Sequence, residues 1–145
     1  MILDIVKYGE PNSVKLRQKN VDVSRENPFL TKLINDMFET LISTNSGVGL
    51  AAPQVGHNLN LFIIKTSNFQ EVFINPEIQL DGLNIQIKEG CLSFPGLSFP
   101  VNRREKVKVK FYDNNWTLRY AEYKDDIAII VQHEFDHLKG KLIID

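Results

Sequence analysis

The sequence predicts an α+β fold in a single domain, and three observations carry that prediction. Apolar residues recur at helical spacing over residues 27–44 and again over 125–139, and between these segments apolar and polar residues alternate as they do in strands. The length of 145 residues allows one sizeable core and not two, since domains most often run to about 100–150 residues. The expected architecture is a single domain, residues 1–145, with antiparallel β-sheets packed around a central C-terminal helix.

The first helix is read from Phe29, Leu30, Leu33, Ile34, Met37, Phe38, Leu41 and Ile42, whose three- and four-residue spacing gives one buried face. Asn27 and Pro28 offer an N-cap and a first helical position. The stretch from Ser46 to Gly56 has too many breaks for a helix and is too apolar for a solvent loop, so it is expected to lie against something. Strands follow at Leu61–Lys65, at Val72–Asn75 and over Leu83, Ile85 and Ile87. A hairpin is expected where Val107, Val109 and Phe111 alternate with three lysines, Asp113-Asn114-Asn115 turns, and Trp116, Leu118 and Tyr120 alternate on the return. The lysines read as its solvated face. The last helix runs from about Asp125 to Lys139, acidic at its start and stopped by Gly140.

Composition excludes several classes of function. With 17 Lys plus Arg against 18 Asp plus Glu, the net charge of −1 gives no field for non-specific nucleic-acid binding. No apolar run approaches the roughly 18 residues of a membrane span, and the segment after Met1 lacks the form of a signal peptide. A cytoplasmic protein is expected. Cys91 is the one cysteine, so it is a buried filler, a nucleophile, a metal ligand or an idle thiol.

The last helix contains His133-Glu134-Phe135-Asp136-His137, an instance of H-E-x-x-H. Residues four apart share a helix face, so His133 and His137 can offer two imidazole nitrogens to one metal ion. Glu134 can then take a proton from a water whose pKa the ion has lowered to about 7. A catalytic divalent site usually has three protein ligands and an open position. Six residues after His137 stands Ile143, where one class of such proteases has a histidine, and Asp145 is the one possible ligand farther on. The third ligand is therefore expected upstream, from Cys91, His57 or a carboxylate. Cys91, which follows Gly90 at the end of an alternating strand, is the strongest of these, and His57 reads as a surface turn residue.

Three blocks, GVGLAAPQ at Gly47–Gln54, EGCLS at Glu89–Ser93 and QHEFDHLKG at Gln132–Gly140, resemble in content and order the peptide deformylase family. The resemblance implies a metallohydrolase that removes the N-formyl group from the initiator methionine of nascent polypeptides and releases formate. It implies Fe(2+) as the usual metal, with Zn(2+), Ni(2+) or Co(2+) able to occupy the site. Carried onto this chain, it makes Cys91, His133 and His137 the ligands, Glu134 the acid/base, and Gln54 and the backbone N–H of Leu92 the oxyanion donors. Donors of this kind are fixed before reaction, and one can be worth about 3 kcal/mol.

The same resemblance pairs Arg103 with Asp136, with Arg104 as the adjacent competitor. It places Val48, Ile87, Ile129 and Ile130 around the methionine side chain, and gives Gly47 and Gly49 to pairing with the substrate backbone. N-formylmethionyl nascent peptides become the expected partners, with transient proximity to the ribosome. No specific nucleic acid and no membrane are expected. Many bacterial relatives continue into a further C-terminal helix that is not seen after Asp145. Gly96-Leu97-Ser98-Phe99 stands where common bacterial forms carry charge, which points to an altered preference beyond the methionine. A bacterium, an organelle or a virus of bacteria is each compatible as a source.

Overall fold

A computed structural model describes residues 1–145. Two α-helices, α1 (Leu30–Ser43) and α2 (Asp125–Leu138), flank five strands: β1 (Gly49–Ala51), β2 (Leu61–Lys65), β3 (Gln70–Cys91), β4 (Phe94–Tyr112) and β5 (Leu118–Lys124). The strands form one antiparallel sheet in sequence order.

Strand alternation explains why β2 is apolar throughout. Leu61 and Ile63 pack in one buried cluster with Leu33, Met37 and Leu41 of α1, while Phe62 and Ile64 belong to a second with Ala128 and Val131 of α2. Leu50 and Ala51 divide in the same way, as do Val72 and Phe73. The sheet thus separates the two helices, and strands covered on both faces read as continuous apolar runs. On β4 the division is between core and water: Val107, Val109 and Phe111 are buried, while Lys106, Lys108 and Lys110 lie on the opposite face.

Several details differ from the sequence reading. α1 begins at Leu30 with Phe29 as its N-cap, because Asn27 spends its side chain one step earlier, its Oδ1 accepting from the Phe29 N–H at 2.9 Å. The two expected strands at 72–75 and 83–87 are parts of one strand, β3. Register shifts between Ile74 and Glu77 and between Asp81 and Asn84 absorb the irregular residues that look like breaks. The sheet is accordingly continuous through these bulges, and α2 touches β1, β2, β4 and β5. Trp116 lies in the turn at φ 57°, not on the returning strand. The Ser46–Gly56 stretch contains β1 and a short 3-10 turn at Ala52–Val55; residues 49–55 are buried, while Ser46 and Val48 are exposed. No helix is long and apolar enough to cross a membrane.

A third cluster closes the end of the sheet. Leu142 and Ile143, beyond α2, pack with Val6, Leu16 and Phe94 against Cys91. Arg17 holds this segment in place, with Nη1 and Nη2 donating to Asp145 at 2.6 and 2.9 Å and Nη1 also to the Gly140 carbonyl at 2.7 Å.

Candidate metal centre and cleft

α2 carries His133 and His137 on one face, with ring centroids 5.1 Å apart and nearly edge to face. β3 ends beside them, so that Cys91 Sγ lies 3.4 Å from His137 Nε2. One donor atom from each of Cys91, His133 and His137 lies within 4.8 Å of the other two. Bonds of about 2.0–2.3 Å to one tetrahedral ion require donors roughly this close. A soft thiolate beside two imidazoles is a donor set for zinc or iron and not for calcium or magnesium. These three residues therefore fit a divalent transition metal. His57 is exposed on a turn, away from the group.

Two carboxylates flank these three donors in different environments. Glu89, 7% exposed, accepts from Arg103 through both oxygens, at 2.7 Å from Nε and 2.7 Å from Nη2, and its Oε1 is 2.8 Å from His133 Nδ1. Burial opposes its charge, but Arg103 and His133 outweigh burial and hold its pKa down at about 2. An ionised Glu89 fixes the His133 tautomer with the proton on Nδ1, leaving Nε2 for an ion. Glu134 has the opposite environment. Its Oε1 is buried with no hydrogen-bond partner, its Oε2 lies 3.9 Å from His133 Nε2, and burial lifts its pKa to about 7 despite His133. A carboxylate poised near neutrality suits proton transfer.

The imidazoles diverge too. Burial opposes charge on His133, yet Glu134, Cys91 and Glu89 together raise its pKa well above the usual value. Burial, aided by His133 and Arg103, pushes His137 well below it.

Arg103 donates to Asp136 Oδ2 at 2.6 Å as well as to Glu89, so one buried guanidinium ties β3 and β4 to α2. Arg104 is occupied elsewhere, donating to the Gly82 carbonyl at 2.9 and 2.7 Å. Gln54, 1% exposed, is fixed by the Ala51 N–H donating to its Oε1 at 3.0 Å, which aims Nε2 at Ser93 Oγ, 3.1 Å away, and Cys91 Sγ, 3.6 Å away.

A cleft of about 540 Å³ opens over these groups. Gly47, Val48, Gly49, Gln54, Cys91, Leu92, Ile129, Ile130, His133 and Glu134 are all in its wall. Ile87, which pairs with Val101, stands two residues before Glu89 on the same face of β3 and is not among these lining residues. Gly49 lies directly against Glu134. A Cβ there would lie 2.5 Å from Glu134 Oε2, so any larger residue would have to displace that carboxylate.

Sequence reasoning gave no role to Glu89 and none to Ser93. The signal for Glu89 was present, since residues two apart on a strand share a face and Glu89 precedes Cys91 by two.

A family model described as Polypeptide deformylase matches residues 2–145. The peptide deformylase of Karelsulcia muelleri is 40% identical over 100% of this chain and 78% of its own length. The crystal structure of peptide deformylase from Thermotoga maritima aligns with a TM-score of 0.90 at 38% identity, covering 100% of this chain and 97% of that one. That of a peptide deformylase from Synechococcus elongatus in complex with actinonin aligns at 0.91 and 40% identity, covering 99% of this chain and 77% of that one.

Proposed function

The chain belongs to the polypeptide deformylase family, hydrolases that remove the N-formyl group from nascent peptides, and on that premise we propose how its own residues divide the reaction. Cys91, His133 and His137 hold one divalent ion, with Glu134 as acid/base. The observation that carries this reading is the convergence of the three donors within 4.8 Å beside a buried, unpartnered Glu134 oxygen.

A divalent ion at these residues supplies a Lewis acid and lowers the pKa of a water nucleophile to about 7. Glu134 accepts the proton of the attacking water and passes it to the leaving amine, so that formate and a free N-terminus result. Gln54 Nε2 and the Leu92 N–H donate to the formyl oxygen as it gains charge. Ile129, Ile130 and Val48 take the methionine side chain, and the edge of β1 at Gly47–Gly49 pairs with the peptide backbone. Family membership points to Fe(2+) as the resident ion, and the same thiolate and imidazole donors would also accept Zn(2+), Ni(2+) or Co(2+). Because the substrate is a nascent chain, the setting is the cytoplasm of a bacterium or of a virus's bacterial host, close to the ribosome.

The test is formate release from a formyl-methionyl peptide by anaerobically prepared, iron-loaded protein, with the acetyl-methionyl peptide as control. Release from the formyl peptide alone, blocked by actinonin, is expected. Equal release from both peptides would mean a general amidase, and release from neither by metal-loaded protein would mean a site that binds without turnover. Air should inactivate the iron form, since the Cys91 thiolate and iron are both oxidisable; full activity after prolonged aerobic handling would argue against iron.

A further inference from the structure

The two histidines of α2 are oriented by different means. His133 is gripped at Nδ1 by Glu89. His137 Nδ1 is buried and makes no hydrogen bond, so its ring takes its direction from the backbone that carries it. That backbone is the last turn of α2, where the His137 carbonyl accepts from the Gly140 N–H at 3.2 Å and carbonyls are running out of intrahelical donors.

Asn20 supplies a donor from outside the helix. It is 7% exposed, and its Nδ2 donates to the Leu138 carbonyl at 2.9 Å and reaches to 3.5 Å from that of His137. Its Oδ1 accepts in turn from Asn58 Nδ2 at 3.0 Å, and Asn58 Nδ2 also donates to the Lys15 carbonyl at 2.9 Å. The backbones on either side are bonded together, Val21 N–H to the Asn58 carbonyl at 3.1 Å and Asn60 N–H to that of Val21 at 2.8 Å. A buried amide with both ends engaged holds the His137 turn against the segment that leads into β2.

We propose that Asn20, locked by Asn58, is a positioning residue for His137: it sets the pitch of the final turn of α2 and through it the place of the His137 imidazole. The proposal rests on reading Cys91, His133 and His137 as metal ligands. It asks little movement, because such constellations tolerate errors of only about 0.5 Å or 10–20°.

The test uses Co(2+) as a probe, read by its absorption spectrum and by its rate of release to a chelator. Asn20→Ala should release Co(2+) at least about tenfold faster than the wild type and shift the ligand-field bands, as loss of a supporting hydrogen bond commonly does. Asn58→Ala should change both in the same direction by less. The double variant should be no worse than Asn20→Ala, since the two residues act as one unit. Arg17→Ala is the control, because it removes the neighbouring bonds to Gly140 and Asp145 and touches neither carbonyl; it should lower the melting temperature and leave Co(2+) release unchanged.

Release from Asn20→Ala at the wild-type rate, or an equal acceleration in Arg17→Ala, overturns the proposal and leaves Asn20 a structural bond only. If Asn20→Ala does not fold, Asn58→Ala decides by the same two readings. Wild-type protein that takes up Co(2+) without a thiolate absorption band would instead refute the ligand reading itself, before any variant is made.

Discussion

Glu89 Oε1 lies 2.8 Å from His133 Nδ1, joining the end of β3 to the middle of α2 across 44 residues of chain. The same carboxylate binds Arg103 with both oxygens, so the orientation of the His133 imidazole depends on a buried ion pair. Replacing Glu89 with Ala leaves Arg103 with Asp136 as its remaining partner. Breaking a buried pair in this way should cost about 3–5 kcal/mol, and loss of the His133 contact should weaken metal binding by about 10–100-fold. Thermal melts and chelator competition measure the two effects. Unchanged metal affinity would mean that His133 needs no such support.

Glu134→Ala should bind metal as the wild type does and lose turnover by about 10²–10⁴-fold, the range of positioned acid/base groups. Metal content and formate release on the same preparation separate the outcomes. Protein that loses metal but keeps full activity per remaining ion would assign Glu134 to binding instead.

Gly49→Ala tests whether space for Glu134 matters. The added Cβ would meet Oε2 at 2.5 Å and the Cδ and Cγ atoms at 2.9 Å, in a site where Glu134 is 3% exposed. Displacing a reacting group by about 1 Å can lower rate by around 10²-fold, so kcat should fall by that order with metal still bound. A kcat within a factor of about two of wild type would show that the carboxylate can move aside.

Acid should release the clamp between Arg17 and Asp145. The Arg17 hydrogen bond, with help from the Leu142 N–H, lowers the Asp145 pKa from 3.8 to about 2. A group with a depressed folded-state pKa stabilises fully above its unfolded value and loses that stabilisation as pH falls toward the folded one. The melting-temperature gap between wild type and Arg17→Ala should therefore be constant above about pH 5, shrink through the range from 3.8 to about 2, and be least at the acid end. A gap that widens on acidification would show that the clamp works through something other than charge.

Local patterns were legible in the sequence, and pairings across the chain were not. β2 has the bounds expected of it, Leu61–Lys65, and α2 ends one residue from its predicted stop, because a continuous apolar run and a helical stripe are visible within a short window. β3 was split, because Asn75-Pro76 and Asp81-Gly82 read as breaks, and only the partner strand reveals that bulges carry the ladder through them. In the site, the four-residue spacing of His133 and His137 is a property of one helix. The grip of Glu89 on Arg103 and the pinning of α2 by Asn20 depend on which distant segments meet.

The continuity of β3 also orders the birth of the site. His133 and His137 can face one another as soon as a single turn of helix forms, whereas Cys91 comes from 46 residues away and arrives only when the turn end of the β3–β4 hairpin packs against α2. Long closures of that kind come late in folding. On the proposed ligand set, a metal ion meeting the unfinished chain would therefore find two of its three anchors, and a nascent copy of this protein would gain its full grip on metal only after sheet and helix have packed together.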